Sequence, residues 1–221
     1  MLTDWRIRRA IRGTGPILVG PWLSELGFEV LYWLPFIWAL RRTYKIPRER
    51  IYAISRGGAG FWYDAHESIE LFDYLPVKDL RLAMMDRHTR TKSIKQNEMS
   101  DWEASLVPFL AKRLGLTRYT VLHPSLMYQT FRDWWSLTMP MAEVVRRLAF
   151  EAFPVHLPPP TLTLPESYVC VKFYTRPTWP RTEDLTHWVE DLVERLGKRV
   201  PVVLLNTGLP TDDLLDVDVP G

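Results

Sequence analysis

Residues 16–35 read Pro16-Ile17-Leu18-Val19-Gly20-Pro21-Trp22-Leu23-Ser24-Glu25-Leu26-Gly27-Phe28-Glu29-Val30-Leu31-Tyr32-Trp33-Leu34-Pro35, and their reading decides the fold. The short apolar run 16–19 predicts a buried strand. A Gly-Pro-Trp turn ends it, and a helix is expected from there to Arg42. Leu, Val, Phe, Tyr and Trp dominate that helix, the pattern of a buried rather than a surface helix. Glu25 and Glu29 are spaced i,i+4 and are expected to share one face. Carboxylates at a strand-to-helix turn of an α/β protein sit where ligands bind, outside the carboxyl ends of the strands. The alternative is that both are first-turn acids favoured by the helix dipole and turned to solvent.

Working outward, short apolar runs alternate with helical periods, the signature of βα units and a mostly parallel sheet. Strands are predicted at 51–55 and 119–122. Helices are predicted over 101–115, where Trp102, Leu106, Phe109, Leu110 and Leu114 recur at helical spacing, and over 141–153. Within the latter, Val144, Val145, Leu148 and Ala149 are expected on one side. The polar, basic stretch 81–97 reads as an exposed, mobile loop.

The prolines of 158–165 predict a semi-rigid linker between a first domain, 1–157, and a second unit, 166–221. That unit opens as a βαβ pattern with strands at 168–173 and 200–205. Between them lies a helix N-capped by Thr182, with Glu183 and Asp184 in its first turn. It holds only about 55 residues, well below the usual domain size, so the chain is expected to be the front part of a longer protein.

The apolar stretch 30–40 is shorter than the roughly 20 residues that span a bilayer, and it contains Pro35; a proline-kinked core helix is expected. The arginines of 5–12 are not followed by an apolar segment of signal-peptide type. They predict a solvated N-terminal helix or arm, with peripheral contact to an anionic membrane as the second reading. A net charge of +2 is too small to argue for nucleic acid. The single cysteine, Cys170, excludes an intrachain disulfide framework and favours a cytoplasmic setting. Its apolar surroundings predict a buried core thiol.

Several residues carry candidate chemistry. Arg56-Gly57-Gly58 follows a predicted strand; glycines admit a ligand close to the backbone, and an arginine fork recognises phosphate or carboxylate. The spacing is not that of the dinucleotide fingerprint, and a structural turn is the competing reading. Lys172, Tyr174, Arg176 and Thr178 gather between a strand and a helix N-terminus, a suitable place for a diphosphate. Asn206-Thr207-Gly208 would line the same edge. His66, His123 and His156 lack metal-ligand spacing, Asp216-Val217-Asp218 is weak as a metal motif, and no metal site is expected. Neither Ser24 nor Ser125 lies in a nucleophile elbow.

The segments Gly-Pro-Trp…Glu-Leu-Gly-Phe-Glu-Val-Leu-Tyr-Trp-Leu-Pro-Phe (20–36), Ser-Arg-Gly-Gly (55–58), Leu-His-Pro-Ser-Leu-Met-Tyr (122–128) and Val-Lys-Phe-Tyr…Pro (171–177) together resemble a group of bacterial glycosyltransferase-like proteins. The resemblance implies the GT-B architecture: a Rossmann-like N-terminal domain on the acceptor side and the beginning of a second Rossmann-like domain that binds the nucleotide-sugar. The implied substrates are a nucleotide-sugar and a carbohydrate or lipid-linked acceptor, with no further cofactor. Lys172, Tyr174, Arg176, Thr207 and Gly208 would then hold the donor. Arg56, Gly57, Gly58, His123 and Ser125 would line the acceptor side. Glu25 would be the general base, with Glu29 in reserve. A non-catalytic carbohydrate- or nucleotide-binding module is the alternative, and an exposed Glu25 would favour it.

Overall fold

The computed structural model describes residues 2–93, 95–151, 163–172 and 182–205. The chain divides into two units, Met1–Pro154 and Val155–Gly221. In the first, α1 (Leu2–Ile11) precedes β1 (Ile17–Val19). There follow α2 (Leu26–Phe28), a π-helical turn (Glu29–Trp33) and α3 (Leu34–Tyr44), without a break between them. Next come β2 (Ile51–Ser55), β3 (Glu67–Glu70), α4 (Val77–Thr91), α5 (Asp101–Arg113) and β4 (Thr120–Leu122). The unit ends with α6 (Ser125–Thr130), α7 (Arg132–Trp135) and α8 (Met141–Arg146).

The strands make a parallel sheet in the order β3-β2-β1-β4, compatible with a Rossmann-like sheet. Val19 lies opposite Ala53 on one side and Leu122 on the other. Ile17 and Val19 pack with Trp33, Ile37 and Met127, whereas Leu18 packs with Leu80, Leu106 and Leu110. Alternate residues of β1 thus enter two different cores, which is why a strand buried on both faces reads as an unbroken apolar run.

Pro35 explains the π-helical turn. It has no N–H to donate, and the N–H of Leu34 just before it reaches back five residues to Glu29 O. The expected kink is therefore a widened turn.

Four expectations need correction, and one strand was not foreseen. Residues 81–97 are not a loop throughout, because α4 runs to Thr91. Its buried stripe is Leu80, Met84 and Arg87, and a charged third member hides the helical period. β3 escaped prediction because only Ile69 of Glu67-Ser68-Ile69-Glu70 is buried. The helix expected over 141–153 stops at Arg146. Beyond it the chain turns so that Ala149 N–H meets Pro35 O at 2.9 Å, and Val145 is left exposed. The N-terminal helix is not simply solvated, because Ile7 and Ile11 enter the core. Glu25 and Glu29 do not share a helix face: Glu25 precedes the helix in extended conformation (φ −62°, ψ 138°) and is exposed, while Glu29 is fully buried.

In the second unit, β5 (Val169–Val171) and β6 (Val202–Leu204) pair in parallel, joined through α9 (Glu183–Gly197). Thr182 caps α9 by accepting the N–H of Leu185 at 3.1 Å. Cys170 is exposed, not buried: two described strands and one helix do not cover both faces of the pair. Most of the expected linker, 158–162, lies outside the described residues.

Candidate functional site

The order β3-β2-β1-β4 places the point where strand order reverses between β1 and β4. In open parallel sheets, ligands bind at that point, outside the strands' carboxyl ends. The loop after β1 begins at Gly20, with φ +103° and a cis bond to Pro21. A Cβ on Gly20 would lie 2.9 Å from Ile54 O, so only glycine lets the loop pass this close to β2. Trp22 then donates its Nε1–H to Glu25 O at 3.1 Å. Its ring lies between Trp33, with centroids 6.0 Å apart, and Tyr128 of α6 at 6.1 Å.

A buried polar network holds this loop from below. Gln96 accepts the N–H of Leu23 at 2.7 Å and donates to Pro21 O at 2.8 Å and Glu103 Oε1 at 2.6 Å. Glu103 Oε2 accepts from Arg87 and from the N–H and Oγ–H of Ser100, both at 2.7 Å. Burial raises the Glu103 pKa, but the hydrogen bond and charge of His123 and the bonds from Ser100 outweigh it and lower the carboxyl to about 2.

His123 and Ser125 belong to this network. His123 Nδ1 accepts the N–H of Ser125 at 3.1 Å and lies 2.9 Å from its Oγ, while Nε2 lies 3.2 Å from Glu103 Oε1. Both ring nitrogens are thus engaged, and the ring covers the first turn of α6. With exposures of 4% and 9%, the two residues anchor the site and do not line it. This corrects their expected place on the acceptor surface.

The glycine loop after β2 is also filled from within. Gly57 and Gly58, at φ +62° and +76°, present their N–H groups as a nest for an anion. The Glu70 carboxylate occupies it, with both contacts at 2.9 Å. Neither glycine N–H is left for a phosphate, so the structural-turn reading prevails. Arg56 is buried and donates to Ser24 O. Arg56 therefore braces the loop after β1, and being buried it does not share an open cleft with the exposed Glu25.

Glu29 lies one layer deeper. Tyr63 donates its hydroxyl to Glu29 Oε1 at 2.5 Å, and Oε2 has no partner among the described residues. Burial pushes the carboxyl up to about 7, against the Tyr63 hydrogen bond and the Arg56 charge that lower it.

Among the described residues, a groove of about 750 Å³ is open and is framed by Arg6, Lys95, Tyr128, Gln129, Arg132 and Trp135. The Lys95 ammonium sits over Phe28 at 4.9 Å and Trp135 at 5.5 Å. Arg6 reaches Gln129 Oε1 at 3.2 Å. Tyr128 lies against Trp135, with centroids 5.3 Å apart, and its hydroxyl is 3.4 Å from Ser24 Oγ. That hydroxyl is pushed up to about 12, chiefly by burial, with a further rise from the negative charge of Glu25. Among the described residues Arg6, Lys95 and Arg132 pair with no carboxylate.

Sequence reading missed these groove residues. Lys95 fell in the stretch read as a loop, and Arg132 and Trp135 lie on a one-turn helix too short to show a period. Glu103 was missed as well, although Ser100-Asp101-Trp102-Glu103 has the capping-box pattern that would have singled it out, and the box is formed. Of the residues expected to hold a donor, Lys172 directly follows β5 and is exposed. Tyr174, Arg176, Thr207 and Gly208 lie outside the described residues. No cluster of metal-ligating side chains occurs among the described residues. No protein-family model, curated protein or solved structure matches the chain.

Proposed function

We propose that the chain is a glycosyltransferase-like protein of GT-B type whose first unit holds an anionic, sugar-bearing acceptor in the groove beside the β1–β4 junction. The observation that carries this reading is the convergence of Arg6, Lys95 and Arg132 around Trp135 and Tyr128 without a carboxylate partner among the described residues. Aromatic faces receive the apolar faces of sugar rings, and unpaired cations neutralise phosphate or uronate groups. The strand order supports it, because the groove adjoins the reversal point.

The nucleotide-sugar would lie on the second unit, with Lys172, Tyr174, Arg176, Thr207 and Gly208 at its diphosphate. In an inverting transfer, a base removes the acceptor hydroxyl proton while that oxygen attacks the anomeric carbon. The bond to the diphosphate breaks, and the leaving group keeps the electron pair. Of the two carboxylates, Glu25 is the one open to an acceptor, whereas Glu29 is closed in against Tyr63.

The test is transfer from a panel of radiolabelled nucleotide-sugars to acidic oligosaccharides by the full chain, beside calorimetric titration of the same oligosaccharides. Lys95→Ala/Arg132→Ala is expected to weaken binding by about tenfold or more, as loss of charge-assisted contacts does. Glu25→Gln is expected to keep binding and lose transfer. Unchanged binding in the double variant overturns the groove assignment. The exposure of Glu25 favours a second reading, binding without turnover. Oligosaccharide binding with no transfer by the wild-type chain would establish that reading in place of the first.

A further inference from the structure

The outer face of α1 is a row of Trp5, Arg8, Arg9 and Arg12, spaced i, i+3, i+4 and i+7, all exposed. The opposite face, Ile7 and Ile11, is buried at 3% and 6% exposure, so the row cannot rotate inward. The helix end is fastened as well. Arg50 donates to Ile11 O at 3.2 Å and to Gly15 O at 2.8 Å, and Thr120 Oγ1 donates to Ala10 O at 2.5 Å. Residues 2–12 carry four arginines against one acid, Asp4. Arg9 lies over the Trp5 ring at 5.3 Å, and the two border a recess of about 440 Å³ that shares Arg6 with the groove.

We infer that this row is a docking surface for an anionic lipid bilayer, on which α1 lies flat beside the groove. Three exposed arginines along one side of α1 match a sheet of negative headgroups, and the half-exposed Trp5 is the side chain that settles at a membrane–water boundary. The apolar face of α1 is already used by the core, so contact is electrostatic and shallow. No helix among the described residues is long and apolar enough to cross a membrane, which fits attachment rather than spanning. A nucleic acid is less well matched: the net charge is only +2, and the row offers one aromatic ring where stacking of successive bases uses several. The inference stands on α1 alone and does not require the groove to bind sugar.

The test is co-sedimentation of the full chain with phosphatidylcholine vesicles, with and without phosphatidylglycerol. Binding is expected only where phosphatidylglycerol is present, and it is expected to fall as salt rises. Arg8→Glu/Arg9→Glu/Arg12→Glu should lower the partition by more than about tenfold, and Trp5→Ala by severalfold. Circular dichroism and a melting curve check the fold. If the charge-reversed chain does not fold, Arg8→Gln/Arg12→Gln should still reduce the partition. Equal binding to both vesicle types, or a folded arginine variant that binds like wild type, overturns the inference. So does a single-stranded oligonucleotide that displaces the chain from vesicles and binds it more tightly, since the row would then be a nucleic-acid surface.

Discussion

Glu29 is a carboxyl group held by one hydroxyl and otherwise enclosed by protein. Its ordinary value of 4.5 rises to about 7 because burial penalises the anion more than Tyr63 and Arg56 favour it; the neighbouring Glu70 charge adds to the rise. A raised folded-state pKa means that the folded protein keeps this proton longer than the unfolded chain. The burial therefore costs nothing well below pH 4.5, costs progressively more as pH rises through 7, and reaches on the order of 3 kcal/mol above that. Glu29→Gln keeps the shape of the protonated acid and removes the titration. It is expected to match wild type near pH 4 and to exceed it by about 1–3 kcal/mol at pH 8, measured by urea unfolding at both values. An equal effect at the two values would mean that Glu29 does not hold its proton in the folded state. Glu103 has the opposite sign. Burial raises its pKa, but the hydrogen bond and charge of His123, with the Ser100 bonds, bring it to about 2. Its contribution is present above pH 4.5 and is lost as pH falls through 2, below the Glu29 window.

At the scale of elements, the loop after β1 is shaped by side chains distant in sequence. Among the described residues Gln96 alone satisfies Pro21 O and Leu23 N–H, and it touches Glu103, at 0% exposure. Gln96→Ala would leave those groups buried without partners, so a loss of about 2–4 kcal/mol in thermal or urea unfolding is expected. Gln129→Ala, whose bonds to Arg6 and Asn97 are exposed, is the control, with a loss of about 0.5 kcal/mol or less. Equal losses would show that the network does not bear on stability. Strands β1 and β2 were legible because burial on both faces leaves an apolar run with no polar alternation. The acid pair was legible as candidate chemistry but not in its geometry. A helix assumed to start at Ser24 puts Glu25 and Glu29 on one face, whereas an extended Glu25 puts one outside and the other inside. The groove was not legible, since Arg6, Lys95 and the segment from Tyr128 to Arg132 lie far apart in sequence and only the packing of α1, α6, α7 and the α4–α5 connection joins them. The glycine loop was misread for a related reason: its anion is Glu70, a residue of the neighbouring strand.

Across the whole chain the two units differ in what holds them. In the first, β1 and most of β2 are buried on both faces, and residues such as Trp22, Trp33, Phe131 and Leu80 are sealed from solvent. In the second, the fully buried apolar side chains among the described residues are Val189 and Val193, with Leu185 and Val202 packed against them. Trp188 of α9 is 58% exposed. Each buried aliphatic side chain contributes about 1.5–3 kcal/mol, which so small a core cannot multiply far against the entropy of ordering two strands and a helix. The capped N-terminus of α9 and its i,i+4 pairs, Asp191 with Arg195 and Glu194 with Lys198, add only about 0.3–0.5 kcal/mol per pair. Local stability should therefore fall sharply from the first unit to the second. Native-state hydrogen exchange is expected to give the amides of β5, β6 and α9 opening free energies at least about 2 kcal/mol below those of β1, β2 and α5. If the second unit binds a nucleoside diphosphate as proposed, adding one should narrow the gap, because a ligand bound only by the folded form raises its stability by mass action. Equal protection in both units without ligand would show that the second is held by more than the core formed by α9 and its two strands.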